Sequence, residues 1–117
     1  MAENMCIKRN TTAILPIMVE GVSYSSLSAV KIAFKSCSHY HSPVLIDKEY
    51  KKEDSAIVSY GASGFTVNVM LKPEETFKLE PGEVYADVYP ITSSAVINTG
   101  NPIRYDVIDT HYKEAIS

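Results

Sequence analysis

Apolar and polar residues alternate at a period of two along seven short stretches of the chain, and almost nowhere does a helical period hold. Residues 7–19 form the first. Ile7, Ala13, Leu15, Ile17 and Val19 share one parity, with Lys8, Asn10, Thr12 and Glu20 on the other. Pro16 has no N–H for a ladder, so this strand is expected at a sheet edge or broken in two at the proline. Gly21 and the serine-rich stretch after it read as a turn. Val30, Ile32 and Phe34, separated by Lys31 and Ala33, predict a half-buried second strand.

After the break at 36–43, the pattern resumes over 44–50 and dissolves into the charged run 51–54, a solvated turn. Residues 56–60 predict a short strand, 61–64 a glycine-bounded hairpin turn, and 65–71 the clearest strand, with Phe65, Val67, Val69 and Leu71 on one face. The stretch 72–82, with two prolines and a closing glycine, predicts a crossover between sheets. One helical turn begun by Pro73, Glu74 and Glu75 fits there, and Phe77 and Leu79 are expected to plug the core. Val84, Ala86 and Val88 predict another inward face, alternating with Tyr85, Asp87 and Tyr89, whose tyrosines point outward or toward the loop layer. Residues 95–97 read as a short extended piece. Ile103, Tyr105 and Val107 form the inward side of a last strand, and 109–117 either fray or form a short helix.

Strands recurring every eight to twelve residues with turns between them predict an all-β domain spanning 1–117. The expected fold is an antiparallel two-sheet, immunoglobulin-like sandwich of about seven strands, with a small closed barrel as the competing architecture. The tryptophan and sheet-bridging cysteine pair of antibody domains are missing. With 117 residues, 45% of them apolar, one core without metal or disulfide staples suffices, and no cofactor is expected.

A formal charge of −3 argues against nucleic acid, whose phosphates demand clustered lysine and arginine. No apolar run reaches the roughly 20 residues that cross a bilayer as a helix, and the first nine residues lack a secretory pattern. The expectation is synthesis in the cytosol, where Cys6 and Cys37 stay as thiols unless the first two strands lie side by side and bring them into bridging distance.

Two stretches, Ile7-Lys-Arg-Asn-Thr-Thr12 and Leu71-Lys-Pro-Glu-Glu-Thr-Phe-Lys-Leu-Glu-Pro-Gly-Glu-Val-Tyr-Ala-Asp-Val88, resemble a family of small phage and prophage proteins from Gram-positive hosts. The order of elements matches too, and the resemblance spans most of the chain. It implies an immunoglobulin-like sandwich similar to the N-terminal domain of phage baseplate upper proteins, made in the host cytoplasm and carried in the virion as a tail-associated or baseplate-associated structural piece. At the end the chain departs from the family, which closes on a glycine-rich helical tail where this sequence has Asn101-Pro-Ile-Arg-Tyr-Asp106 and His111-Tyr-Lys113.

Candidate chemistry is sparse. His39 and His41 would share one side of an extended segment and could hold zinc or nickel with His111 or Asp47, but a serine-rich loop more simply exposes them to solvent. Glu74 and Glu75 are sequence neighbours whose carboxyls diverge rather than face a substrate. No nucleophile elbow, triad order or phosphate-cradling glycine loop is present, so no catalytic, cofactor or metal residues are assigned and no enzymatic role is expected.

Eight tyrosines remain as the notable surface feature. Tyr24, Tyr40, Tyr60, Tyr85, Tyr89, Tyr105 and Tyr112 lie near loops or on polar parities, and Tyr85 with Tyr89 forms the candidate interface. The expected role is a non-enzymatic assembly module that contacts other phage structural proteins or copies of itself. The alternative is a sandwich that binds carbohydrate or a host surface.

Overall fold

The computed structural model describes residues 6–36, 43–59, 64–100 and 102–111. Among the described residues, eight strands form two sheets: β1 (Cys6–Lys8), β2 (Ala13–Glu20), β3 (Leu27–Lys35), β4 (Val44–Lys51), β5 (Ile57–Ser59), β6 (Gly64–Leu71), β7 (Gly82–Thr92) and β8 (Ile103–Ile108). One sheet has the order β1-β8-β7-β3-β4 and the other β2-β6-β5. Neighbours pair antiparallel except β1, which runs parallel to β8. Taking β2, β6 and β5 as B, E and D and β3, β7 and β8 as C, F and G gives the strand order of an immunoglobulin sandwich, with β4 added beside C. The fold is an all-β two-sheet sandwich.

The core lies between the sheets. Leu15, Ile17 and Val19 of β2 and Phe65, Val67, Val69 and Leu71 of β6 face Val30, Ile32 and Phe34 of β3 and Val84, Ala86 and Val88 of β7. Each large side chain buried there contributes about 1.5–3 kcal/mol. β3 begins at Leu27, and a register shift between Leu27 and Ala29 brings Leu27 into the core on the same side as Val30, Ile32 and Phe34.

The expectation of one strand over 7–19 is corrected. Ile7 and Leu15 are both buried, so parity persists, but β1 and β2 belong to different sheets. The switch occurs at Asn10, which takes φ 67, a left-handed conformation that asparagine tolerates better than most residues. The chain therefore breaks at Asn10 and not at Pro16, which stands exposed within β2 at the sheet edge where the missing N–H predicted it.

The crossover contains the expected helical turn, α1 (Pro73–Thr76). Leu79 is fully buried, whereas Phe77 is only half-buried, with Arg9 lying over its outer side, the guanidinium 4.8 Å from the ring centroid. Thr76 takes the buried place instead. Its hydroxyl donates to the Thr11 carbonyl at 2.8 Å and accepts from the Thr11 N–H at 3.1 Å, tying the crossover to the entry of β2. Arg9 adds bonds to the Phe77 carbonyl (2.8 Å) and to Asp109 (2.6 Å), and so fastens the end of β8 to the same corner.

Candidate interaction surface

The two outer faces of the sandwich differ in character. Tyr85, Asp87 and Tyr89 of β7 lie on the outer face of the larger sheet, opposite Lys35, Ala33 and Lys31 of β3, with Arg104 of β8 opposite Tyr85. Tyr89 is 41% exposed. The two tyrosines thus share a side as the alternation predicts, about 13 Å apart along the strand for four steps of extended chain. Their hydroxyls are occupied. Tyr85 donates to Glu83 at 3.0 Å and Tyr89 donates to Asp87, while Arg104 bridges Glu83 and Asp106 at 2.8 Å each. The hydrogen bond to Asp87, with burial second, raises the Tyr89 hydroxyl above its ordinary pKa, and the bonds from Tyr85 and Arg104 hold the Glu83 carboxyl below its own. This face is a solvated lattice of charges that satisfy one another, worth little individually in water.

The outer face of the smaller sheet carries the opposite chemistry. Ile14 is 63% exposed, Met18 58%, Met70 48% and Val58 46%. Register places them together: Ile14 pairs with Met70, Pro16 with Asn68, and Thr66 sits between Met18 and Val58 as one cross-strand row. Thr66 is itself buried by these neighbours. Across three strands the only charged outward residue of β2 or β6 is Glu20, at the end of β2. A contiguous, uncharged apolar face on a folded domain marks an interaction site more strongly than isolated exposed apolar residues do.

The sequence carried this signal, but the assignment of β2 to a single apolar parity passed over it. Ala13-Ile-Leu-Pro-Ile-Met-Val19 is apolar at both parities, the signature of a strand covered on two sides. Here it stands at a sheet edge with one side open.

Edges and other candidates complete the picture. β1 and β5 have three residues each, and β4 carries Asp47, Lys48, Glu49 and Lys51; short length and charge both discourage edge pairing. β2, with eight residues and one charge, Glu20 at its end, is the long and sparsely charged edge. Of the remaining tyrosines, Tyr105 is in the core, where burial pushes its hydroxyl up to about 12, and Tyr24 is half-buried with its hydroxyl donating to the Lys52 carbonyl at 2.9 Å. Tyr40, Tyr60, Tyr112, His39, His41 and Cys37 lie outside the described residues, and with them the histidine pair and any bridge to Cys6. Among the described residues no three potential metal ligands converge.

Glu74 and Glu75 diverge: Glu74 is exposed, whereas Glu75 accepts the Lys72 N–H at 2.8 Å and pairs with Lys48 of β4 at 2.8 Å. Burial opposes ionisation of Glu75, but the bonds from Lys48 and the Lys72 backbone prevail and hold its carboxyl below the usual range. Among the described residues no helix is long and apolar enough to cross a membrane.

Comparison with protein-family models and with characterised proteins finds no match. Among solved structures the chain is similar to the extracellular domain of the voltage-gated sodium channel beta4 subunit, described there as forming parallel homodimers in cell-cell adhesion. That similarity is 15% identity over 90% of this chain and 89% of that one, with a TM-score of 0.35.

Proposed function

We propose that the chain is a non-enzymatic assembly module of a phage or prophage particle, tail-associated or baseplate-associated, that binds neighbouring virion proteins or copies of itself through a sheet face. The observation that carries the docking role is the uncharged outer face of β2, β6 and β5, where Ile14, Met18, Met70 and Val58 stand together in water. Leaving this much apolar surface exposed lowers solubility, and burial against a partner recovers about 25 cal/mol per Å². The virion setting is supported by the resemblance of the opening stretch and of the 71–88 crossover to small phage and prophage proteins.

The experiment is size-exclusion chromatography with light scattering on the purified chain, alone and mixed with the products of its neighbouring genes, for wild type and for Ile14→Ser combined with Met70→Ser. The expected result is a concentration-dependent increase in mass or co-elution, lost in the double variant. A strict monomer at high concentration that co-elutes with no neighbour would overturn the proposal.

A further inference from the structure

The edge of β2 that no described strand covers has directionality that follows from the pairing on its other side. The Asn68 N–H donates to the Ala56 carbonyl at 2.8 Å, so the even-numbered residues of β6 turn their main-chain groups toward β5 and the odd-numbered ones toward β2. Odd pairs with odd in the β2–β6 register, Leu15 with Val69 and Ile17 with Val67. The even residues of β2 therefore point their main-chain groups away from the sheet: N–H of Ile14, Met18 and Glu20, and C=O of Ile14, Pro16, Met18 and Glu20. Among the described residues no strand pairs with them, on the side where an immunoglobulin domain places its first strand. Pro16 removes one donor, and beyond it Met18 and Glu20 have no partner strand on this side among the described residues.

A cleft of about 580 Å³ runs beside that stretch. Ile17, Val19, Val88 and Ile103 supply its apolar lining, and Asn98 and Thr99 its polar rim. The one charged residue along it is Glu20, whose side chain is exposed at the end of β2. Unpaired main-chain donors and acceptors beside a groove that accepts side chains are the two requirements of recognition by strand addition.

We infer that β2 from Pro16 to Glu20 is a strand-acceptor site, and that its occupant is a free extended segment of a partner polypeptide, alternately apolar and flanked by basic residues. A second intact copy does not fit. Its own Leu15, Ile17 and Val19 are 5%, 2% and 4% exposed, already committed to its core, so pairing β2 with β2 would leave the cleft unfilled. A free segment fills the groove with its inward side chains, and basic flanks answer Glu20. This inference deepens the assembly reading by naming the kind of partner, but it rests on the edge and cleft rather than on the apolar face.

The test uses fluorescein-labelled heptapeptides with valine at alternate positions and lysine, serine or glutamate between, titrated by anisotropy against the full chain to about 1 mM. The expected result is binding of the lysine peptide more than tenfold tighter than the glutamate peptide, with the preference reversed by Glu20→Lys at an exposed position. N-methylation of one alternate set of peptide residues should abolish binding and methylation of the other should leave it, because only one set faces β2. Absence of binding by all three peptides, equal affinity for lysine and glutamate peptides, or equal sensitivity to both methylation sets would overturn the inference. The combination Val58→Ser with Met70→Ser, on β5 and β6 and off the β2 edge, keeps the two readings separable, since it should leave peptide affinity unchanged while weakening face-mediated assembly.

Discussion

Replacing Thr76 with valine should destabilise the domain more than replacing it with serine, although valine keeps the volume and adds apolar surface. Thr76 is fully buried, and its hydroxyl makes two bonds to the main chain of Thr11, at 2.8 and 3.1 Å, across 65 residues of sequence. Each such bond is worth about 1 kcal/mol net, and a donor or acceptor left without a partner loses about 1–3 kcal/mol more where it is buried. The extra methyl of valine returns about 0.8 kcal/mol, leaving a net loss whose lower bound is about 2 kcal/mol. Thr76→Ser keeps both bonds and loses one methyl, about 1 kcal/mol. For a domain of this size the valine variant should melt at least roughly 8 °C below wild type, at about 4 °C per kcal/mol. Urea unfolding followed by circular dichroism gives both midpoints, with the slope unchanged if the fold is intact. A valine variant as stable as the serine variant would refute the argument that the Thr76 hydroxyl fastens the crossover to β2.

Three further outcomes are expected. The Glu75 carboxyl is held below its ordinary 4.5, so the stability it contributes is present above that value and is lost as pH falls through the lower folded value. Urea midpoints measured between about pH 6 and pH 3 should fall less steeply in Glu75→Gln than in wild type, and parallel curves would contradict the Lys48 pairing. Tyr105 is raised by burial from 10.0 to about 12, so its contribution persists below pH 10 and is lost as pH rises through 12; ultraviolet titration of Tyr105→Phe should lack the highest-pH ionisation step. A Cβ on Gly64 would lie 2.4 Å from the Val19 carbonyl oxygen, a backbone atom that cannot rotate away, so Gly64→Ala should lower stability by about 1–3 kcal/mol in thermal melts, and an unchanged melting temperature would count against the β2–β6 register.

Much of the fold was legible because a strand writes its two faces directly into alternate residues. Phe65, Val67, Val69 and Leu71, or Val84, Ala86 and Val88, announce their inward side without knowledge of any partner strand. The helical turn at Pro73 was equally local, set by proline at its start and acidic residues in its first turn. Pairing is different in kind. That β1 and β2 join separate sheets depends on one left-handed residue, Asn10, and the apolar positions on either side of it, Ile7 and Ala13, keep the same parity. Phe77 looked like the larger core plug, but Arg9, 68 residues away in sequence, covers its ring from outside and leaves the buried position to Thr76. The apolar face went unread because Ile14, Pro16 and Met18 have the hydropathy of a buried strand, and only the strand order reveals that nothing among the described residues covers them.

The docking account is tested most directly by sedimentation equilibrium of the chain with the products of its neighbouring genes, comparing substitutions on the two outer faces. It predicts that Ile14→Ser with Met70→Ser abolishes association while Tyr85→Ser with Tyr89→Ser, on the charged face, leaves it intact. Association that survives the first pair and disappears with the second would contradict it.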